Sequence, residues 1–148
     1  MYRTHNNGEL RLQDVNSEVT LCGWVAKRRN FGALVFIDLR DRYGITQLVF
    51  NEDLATQISD VRNEYVLQVK GTVVERKDKN PKLATGEIEV AVREVKIVNT
   101  AITTPMIIAD ETDALEDTRL KYRYLDLRRP VLQKNLILRN RITLLVRN

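Results

Sequence analysis

Apolar and polar residues alternate through most of the first hundred positions. The clearest stretch is residues 21–50, LCGWVAKRRNFGALVFIDLRDRYGITQLVF, in which glycine-containing interruptions at residues 30–32 and 42–44 separate three alternating runs. Period-two alternation is typical of β-strands, and short glycine-containing connections are typical of hairpins. The pattern therefore predicts an antiparallel meander with strands over residues 18–29, 33–40 and 45–50.

A helix and two further strands are predicted after this meander. Residues 51–61 begin with Asn51 and space their apolar residues by four and three, which indicates a short amphipathic helix. Alternation then resumes over residues 64–75, with Gly71 as an expected bulge, and over residues 87–98 after a polar loop. This order predicts a mainly β fold, a five-stranded OB-fold barrel with a short helix between strands 3 and 4.

The pattern changes after residue 99. We predict an OB-fold domain over residues 1–99, an acidic linker over 100–117, and a separate helical segment over 118–148. The basic and aromatic stretch TRLKYRYLDLRR is compatible with solvated arginines, an RNA-facing surface or interdomain packing, and we favour the last. Pro130 suits the start of a helix whose apolar stripe continues to the end of the chain, so we expect the chain to be the N-terminal piece of a longer protein.

Composition excludes several classes of function. With 148 residues, of which 43% are hydrophobic, the chain can bury a core, and its net charge of +4 is compatible with a polyanionic partner without requiring one. One cysteine and one histidine are too few for a disulfide framework or a Cys/His zinc site, so no metal site is expected. We interpret Cys22 as a small buried hydrophobic residue. The polar N-terminus and the lack of a long apolar run predict a cytoplasmic protein without a membrane partner.

Phe36 occupies an unexpected position in the second strand. Alternation places Val35, Ile37 and Leu39 on one face and puts Phe36 on the other, beside Asp38 and near several basic residues. An aromatic side chain on a basic sheet face is a stacking platform for single-stranded nucleic acid. A sequence-tolerant nucleic-acid-binding OB-fold and a protein-docking module anchored by Phe36 are alternatives, and an exposed phenylalanine is also common without any function.

Three strings carry a family resemblance. The meander at residues 21–50, ATGEIEV at residues 84–90 and RLKYRYLDLRRP at residues 119–130 together resemble the N-terminal region of bacterial aspartyl-tRNA synthetases. The asparaginyl and lysyl enzymes share the barrel and the chain order, and the second and third strings in combination favour the aspartyl family. The resemblance implies that the barrel binds the anticodon loop of tRNA-Asp in an enzyme that activates aspartate with ATP and magnesium.

The resemblance also assigns roles to single residues. Phe36 matches the aromatic residue that stacks on the central anticodon base, and Gln47 matches the residue that reads the edge of that base. Arg29, Asn80 and Glu89 match further contacts, of which Glu89 suits the amino and imino groups of guanine or the amino group of cytosine. Phosphate contacts are expected from the nearby basic residues Lys27, Arg28, Arg76, Lys77, Lys79 and Lys82.

The resemblance places the chemistry outside this chain. The ATP and aspartate pockets of the family's class II catalytic domain lie beyond the stretch that is matched, so no catalytic residue is expected here. We expect the chain to bind RNA without catalysing aminoacylation and to hold no cofactor itself, while the full-length enzyme uses ATP and magnesium. The final helix corresponds to the beginning of the motif that forms the homodimer interface of these enzymes.

Overall fold

The computed structural model describes residues 2–147 and divides the chain into two compact units, one ending at Ile102 and one beginning at Thr103. The first unit contains one 3-10 turn (Leu12–Asp14), one helix and five strands. These strands are β1 (Glu18–Phe31), β2 (Leu34–Arg40), β3 (Ile45–Phe50), β4 (Val66–Glu75) and β5 (Ile88–Asn99), and helix α1 (Glu52–Gln57) lies between β3 and β4. The predicted OB-fold is confirmed, including the position of its helix.

The five strands close into a barrel in the order β1-β2-β3-β5-β4. All neighbouring pairs are antiparallel except β3 and β5, which run parallel through the pairs Leu48↔Val90 and Val49↔Ala91. The register of β4 against β5 shifts between Lys70 and Gly71, where the sequence predicts a bulge. A Cβ atom on Gly71 would lie 2.4 Å from the carbonyl oxygen of Ala91, so only glycine fits this close approach.

The core is formed by one face of each strand. In β2, Val35, Ile37 and Leu39 are at most 5% exposed, as the alternation predicts. Leucine, isoleucine and valine from the other strands, together with Phe50, extend the cluster, and Leu10, Leu54, Ile58 and Val61 add to it from outside the strands. Since burying one such side chain contributes about 1.5–3 kcal/mol, this interior fixes which face of each strand points outward.

A bulge in β1 decides the orientation of its basic residues. Val25 pairs with Leu39 and points into the barrel, but the register then shifts, so that Lys27 pairs with Asp38 and Arg28 with Ile37. Without this extra residue, simple alternation from Val25 would direct Lys27 and Arg29 inward. The bulge therefore places Lys27 and Arg29 on the outer face and Arg28 on the face of Ile37.

Two local predictions are corrected by the structure. Cys22 is half-buried and alternates with the fully buried Leu21 and the buried Gly23, so it lies on the outer side of β1 and not in the core. Helix α1 ends at Gln57 although the apolar spacing continues to residue 61, because Ile58 and Val61 bury their side chains from a turn beyond the helix. Asn51 caps α1 as predicted, accepting a hydrogen bond from the Leu54 backbone N–H at 3.1 Å.

The second unit consists of three helices and the segment before them. The helices are α2 (Glu116–Lys121), α3 (Arg123–Asp126) and α4 (Pro130–Arg147), so the predicted helix start at Pro130 is confirmed. Met106 and Ile108 pack with Leu125 in a small core of their own. Within the predicted linker over residues 100–117, Met106 and Ile108 are thus buried, whereas Ile107 is 69% exposed.

An ion cluster centred on Asp126 stabilises the second unit. The Asp126 carboxylate is fully buried and accepts hydrogen bonds from Arg119, Arg123 and Arg129 at 3.1, 2.8 and 2.9 Å. The guanidinium group of Arg129 also donates to the carbonyl oxygens of residues 109 and 110. The arginines of TRLKYRYLDLRR thus have a role inside their own unit.

No helix in the described part of the chain combines the length and apolar character that crossing a membrane requires.

Candidate nucleic-acid interface

The outer face of β1, β2, β3 and β5 brings most of the predicted site residues together. Register pairs Arg29 with Phe36, and it pairs Asp38 with Gln47. Glu89 alternates with the fully buried Ile88 and Val90, so it also points outward. Side chains from four strands therefore share one surface of the barrel, and we name this surface, formed by Arg29, Phe36, Asp38, Gln47 and Glu89, the recognition face.

Four polar side chains of the recognition face form a continuous hydrogen-bonded chain. Arg29 donates to the Asp38 carboxylate at 2.6 Å and to Gln47 Oε1 at 3.3 Å. Gln47 Nε2 in turn donates to Glu89 Oε2 at 2.8 Å. Since each side chain restrains the next, the network fixes the orientation of the Gln47 amide before any ligand arrives.

Gln47 retains hydrogen-bonding capacity within this network. The side chain is only 6% exposed, so Gln47 is not a freely solvated strand residue. A carboxamide has two N–H donors and two acceptor lone pairs, and the network uses one of each. One donor and one acceptor therefore remain, which is the combination needed to read the edge of a base such as uracil.

Asp38 belongs to the network but was not among the predicted contacts. Burial raises the pKa of its carboxyl group, and positive charges offset part of this rise, those of Arg29, Arg76 and Lys27. The sequence signal for Asp38 was its parity with Phe36 in a strand whose other face is apolar. That signal identifies the face, but the ion pair with Arg29 depends on the β1 bulge.

Phe36 lies beside the polar network without belonging to the core. Its neighbours in β2, Val35 and Ile37, are 5% and 0% exposed, whereas Phe36 is half-buried on the opposite side. Cross-strand pairing sets it between Arg29 and Val49. The ring is therefore partly accessible on the recognition face, as a base-stacking platform requires.

The loop between β4 and β5 contributes the remaining predicted residues. Asn80 is half-buried and its Oδ1 accepts a hydrogen bond from the Lys82 backbone N–H at 3.1 Å. The loop folds closely on itself, since a Cβ atom on Gly86 would lie 1.8 Å from the Asn80 carbonyl oxygen. The hydrogen bonds of Asn80 join it to Lys82, Leu83 and Gly86 of its own loop, so Asn80 flanks the polar network.

The basic residues predicted to contact phosphate have different surroundings. Lys27, Lys77 and Lys82 are exposed, and Arg76 lies close enough to Asp38 for its charge to offset part of the rise that burial causes in the pKa of that carboxyl group. The exposed Lys79 pairs with Glu75 at 2.8 Å, and the hydrogen bond to Glu75 raises its pKa. Arg28 differs from this group, because it shares the face of Ile37 and its Nε atom is buried. Arg28 is therefore the least suited to a contact on the recognition face.

The arrangement combines an aromatic platform, a pre-oriented amide, two carboxylates and a rim of cations. Carboxylates repel phosphate but accept hydrogen bonds from base amino and imino groups, so they suit a face that reads bases. Within residues 2–147, no group of three His, Cys, Asp or Glu side chains is placed to hold a metal ion. Together, the aromatic ring, the amide and the carboxylates are side chains of the kinds that bind an unpaired nucleic-acid strand.

Comparison with known proteins supports this interpretation. Aspartate–tRNA ligase from Amoebophilus asiaticus is 56% identical and covers 94% of this chain. The proteins of the same name from Bacteroides thetaiotaomicron and Mycoplasma mycoides are both 53% identical and cover 99% and 100% of the chain. In each case the chain spans only 25–26% of the relative's length.

Solved structures show the same architecture. The aspartyl-tRNA synthetase from Entamoeba histolytica superimposes with a TM-score of 0.76 at 20% identity, over 84% of this chain and 32% of that one. The asparaginyl-tRNA synthetase from Pyrococcus horikoshii, complexed with asparaginyl-adenylate, gives a TM-score of 0.68 at 25% identity, over 82% and 28%. The family model for the tRNA anticodon type, described as an OB-fold nucleic acid binding domain, matches residues 19–98. This chain therefore belongs to the family of OB-fold nucleic acid binding domains of the tRNA anticodon type.

Proposed function

We propose that the recognition face binds the anticodon loop of tRNA-Asp. The observation that carries this proposal is the chain of hydrogen bonds from Arg29 through Gln47 to Glu89, located beside the Phe36 ring. In this assignment, Phe36 stacks on the central anticodon base while the free donor and acceptor of Gln47 pair with its edge. Glu89 accepts from an adjacent base, for which guanine at the first anticodon position is our choice.

The other contacts follow from their positions. Arg29 reaches a base edge or a phosphate from the β1 side of the face, and Asn80 adds a contact from the loop between β4 and β5. The exposed lysines of that loop meet backbone phosphates, which supplies affinity without sequence information.

We assign the chain to an aspartate–tRNA ligase of the cytoplasm. In the full-length enzyme, ATP and magnesium would serve aspartate activation in the part that this chain does not match, and the enzyme would act as a homodimer. Within that enzyme, the contribution of this chain would be to select the tRNA. The chain alone should not support aspartate-dependent exchange of pyrophosphate into ATP.

Two substitutions test whether Gln47 and Glu89 read bases. Gln47→Ala should reduce discrimination at the central anticodon base by about 1–3 kcal/mol, with an unchanged salt dependence because no charge is removed. Glu89→Gln removes a charge of the same sign as phosphate, so binding of non-cognate RNA should stay equal or rise while discrimination at its own base falls. The measurement is a titration of tRNA-Asp anticodon stem-loops, substituted singly at each anticodon position, over a series of salt concentrations.

Glu87→Gln provides the matched control, because Glu87 is an exposed acid that precedes β5 and lies outside the network. Glu87→Gln should change the affinity for every stem-loop by the effect of one lost negative charge, and it should leave the discrimination between anticodon bases unchanged. If Glu89→Gln weakens binding of every stem-loop equally, Glu89 does not read a base.

The wild-type chain also tests the two alternative functions. Equal affinity for all single-stranded RNAs would favour the sequence-tolerant alternative. The absence of RNA binding would favour a protein-docking module.

A further inference from the structure

The hairpin between β1 and β2 presents an aromatic side chain that the proposed function does not use. Phe31 ends β1 and is 79% exposed, more than any other aromatic side chain of residues 2–147. It pairs with Leu34, which is 41% exposed, across a turn in which Gly32 has a φ of +61°. Two adjacent apolar side chains are thus held in water at a well-defined turn.

Phe31 lies on the same side of the sheet as the recognition face. The pairs Phe31↔Leu34 and Arg29↔Phe36 are separated by two residues on each strand, so all four side chains point the same way. Two residues of a strand extend roughly 7 Å, and diagonal neighbours across a strand pair are about 7–8 Å apart. The surface that begins at Glu89 therefore continues past Phe36 and Arg29 to Phe31.

The strand order gives this continuation a direction. Across the barrel, Glu89 lies on β5, Gln47 on β3, Phe36 on β2 and Arg29 on β1. An RNA strand whose three bases follow that order arrives at the end of β1, where its next base meets the hairpin. Arg29 lies opposite Phe36, two residues before Phe31 in β1, and supplies a positive charge for the intervening phosphate.

We propose that Phe31 forms a fourth base subsite, stacking on the unpaired nucleobase that flanks the anticodon on the side bound by Arg29. The inference rests on the proposed function, since it extends the same RNA strand by one nucleotide. A phenyl ring has no hydrogen-bonding group, so the subsite accepts any base, and purines stack best because their rings are larger. Leu34 supports the ring from the opposite strand.

A double-mutant cycle tests the subsite. The wild-type chain and Phe31→Ala are titrated with the tRNA-Asp anticodon stem-loop and with two versions that carry an abasic nucleotide, one on each side of the anticodon. For the wild type, the abasic nucleotide on the side bound by Arg29 should weaken binding roughly 5- to 150-fold, the range expected for one stacked base. Phe31→Ala should bind the intact stem-loop more weakly by a similar factor and be insensitive to that abasic position.

Further variants separate stacking from other effects. Phe31→Tyr keeps the ring and should restore both the affinity and the sensitivity to the abasic nucleotide. Tyr2→Ala is the matched control, because Tyr2 is 74% exposed and lies beside Gln68 of β4, away from the recognition face. This variant should bind all three stem-loops as the wild type does.

The possible results distinguish the inference from the function on which it depends. If both flanking abasic positions weaken Phe31→Ala as much as the wild type, Phe31 does not stack on either base and the inference is overturned. In that case the substitutions at Gln47 and Glu89 still report on the proposed function. If the wild-type chain binds none of the stem-loops, the proposed function fails as well, and an apolar protein partner at the hairpin becomes the alternative.

Discussion

Phe36 and Ile37 are adjacent in β2, yet they have opposite surroundings. Ile37 is fully buried in the barrel, whereas Phe36 is half-buried on the recognition face. A buried side chain contributes mainly to folding, and an accessible aromatic ring contributes mainly to what the surface binds. The two residues therefore offer a matched pair on one strand for separating stability from recognition.

Phe36→Ala should change the free energy of unfolding by about 1 kcal/mol or less and weaken binding of the anticodon stem-loop by about 1–3 kcal/mol. Ile37→Ala should show the reverse, with about 2–5 kcal/mol lost from stability because a cavity forms in the core. Denaturant unfolding followed by the fluorescence of Trp24 and an RNA titration give both quantities. A large loss of stability in Phe36→Ala with unchanged RNA affinity would mean that the two faces of β2 have been interchanged.

At the level of strands and helices, the sequence predicts most of the barrel and less of the site. Alternation locates all five strands, since each has one face in the same core, and Asn51 locates the start of α1. The orientation of Arg29 could not be derived in this way, because a single bulge in β1 reverses the parity of the residues after Val25. Such a bulge depends on pairing with β2, which a local pattern does not contain.

Cys22 and Asp126 show a second reason why local patterns are incomplete. A cysteine among apolar neighbours suggests a core position, but strand parity places Cys22 on the outer side of β1. Asp126 is surrounded by arginines in the sequence and therefore looks solvated, yet it is fully buried because three of those arginines converge on it. Whether a charge is buried depends on partners that only the folded structure brings together.

The Asp126 cluster predicts how the second unit responds to acid. Burial by itself raises the pKa of this carboxyl group, but hydrogen bonds from Arg129 and Arg119 outweigh that effect and lower it. A lowered pKa means that the ionised group stabilises the folded state above the unfolded-state pKa of about 3.9 and that this stability is lost as pH falls through the folded-state value. The helices of this unit, followed by circular dichroism, should therefore melt at progressively lower temperature as the pH falls below about 4.

Asp126→Asn should destabilise the second unit already at pH 7, by about 3–5 kcal/mol, because Arg129 keeps a buried charge without its counterion. It should also be less sensitive to acid than the wild type. Asp113→Asn, which changes an exposed acid of the same unit, is the control and should follow the wild type. Identical melting of Asp126→Asn and the wild type at pH 7 would show that the cluster does not stabilise this unit.

For the molecule as a whole, the distribution of charge matters more than its net value of +4. The recognition face places the carboxylates of Asp38 and Glu89 at its centre and cations such as Lys27 and Arg76 near them. A surface built only for affinity would present cations throughout, since each phosphate contact strengthens binding to any sequence. In the proposed function, the central carboxylates would lower that general affinity and increase the dependence on base contacts, which is the property of a selective reader.

Selectivity of the unmodified chain is the most direct test of this account. The measurement is the affinity of the wild-type chain for the tRNA-Asp anticodon stem-loop and for three versions that each change one anticodon base, at one fixed salt concentration. Each change should weaken binding by about 1–3 kcal/mol, as expected for the loss of one base-edge contact. Equal affinity for all four stem-loops would contradict the claim that this face reads the anticodon.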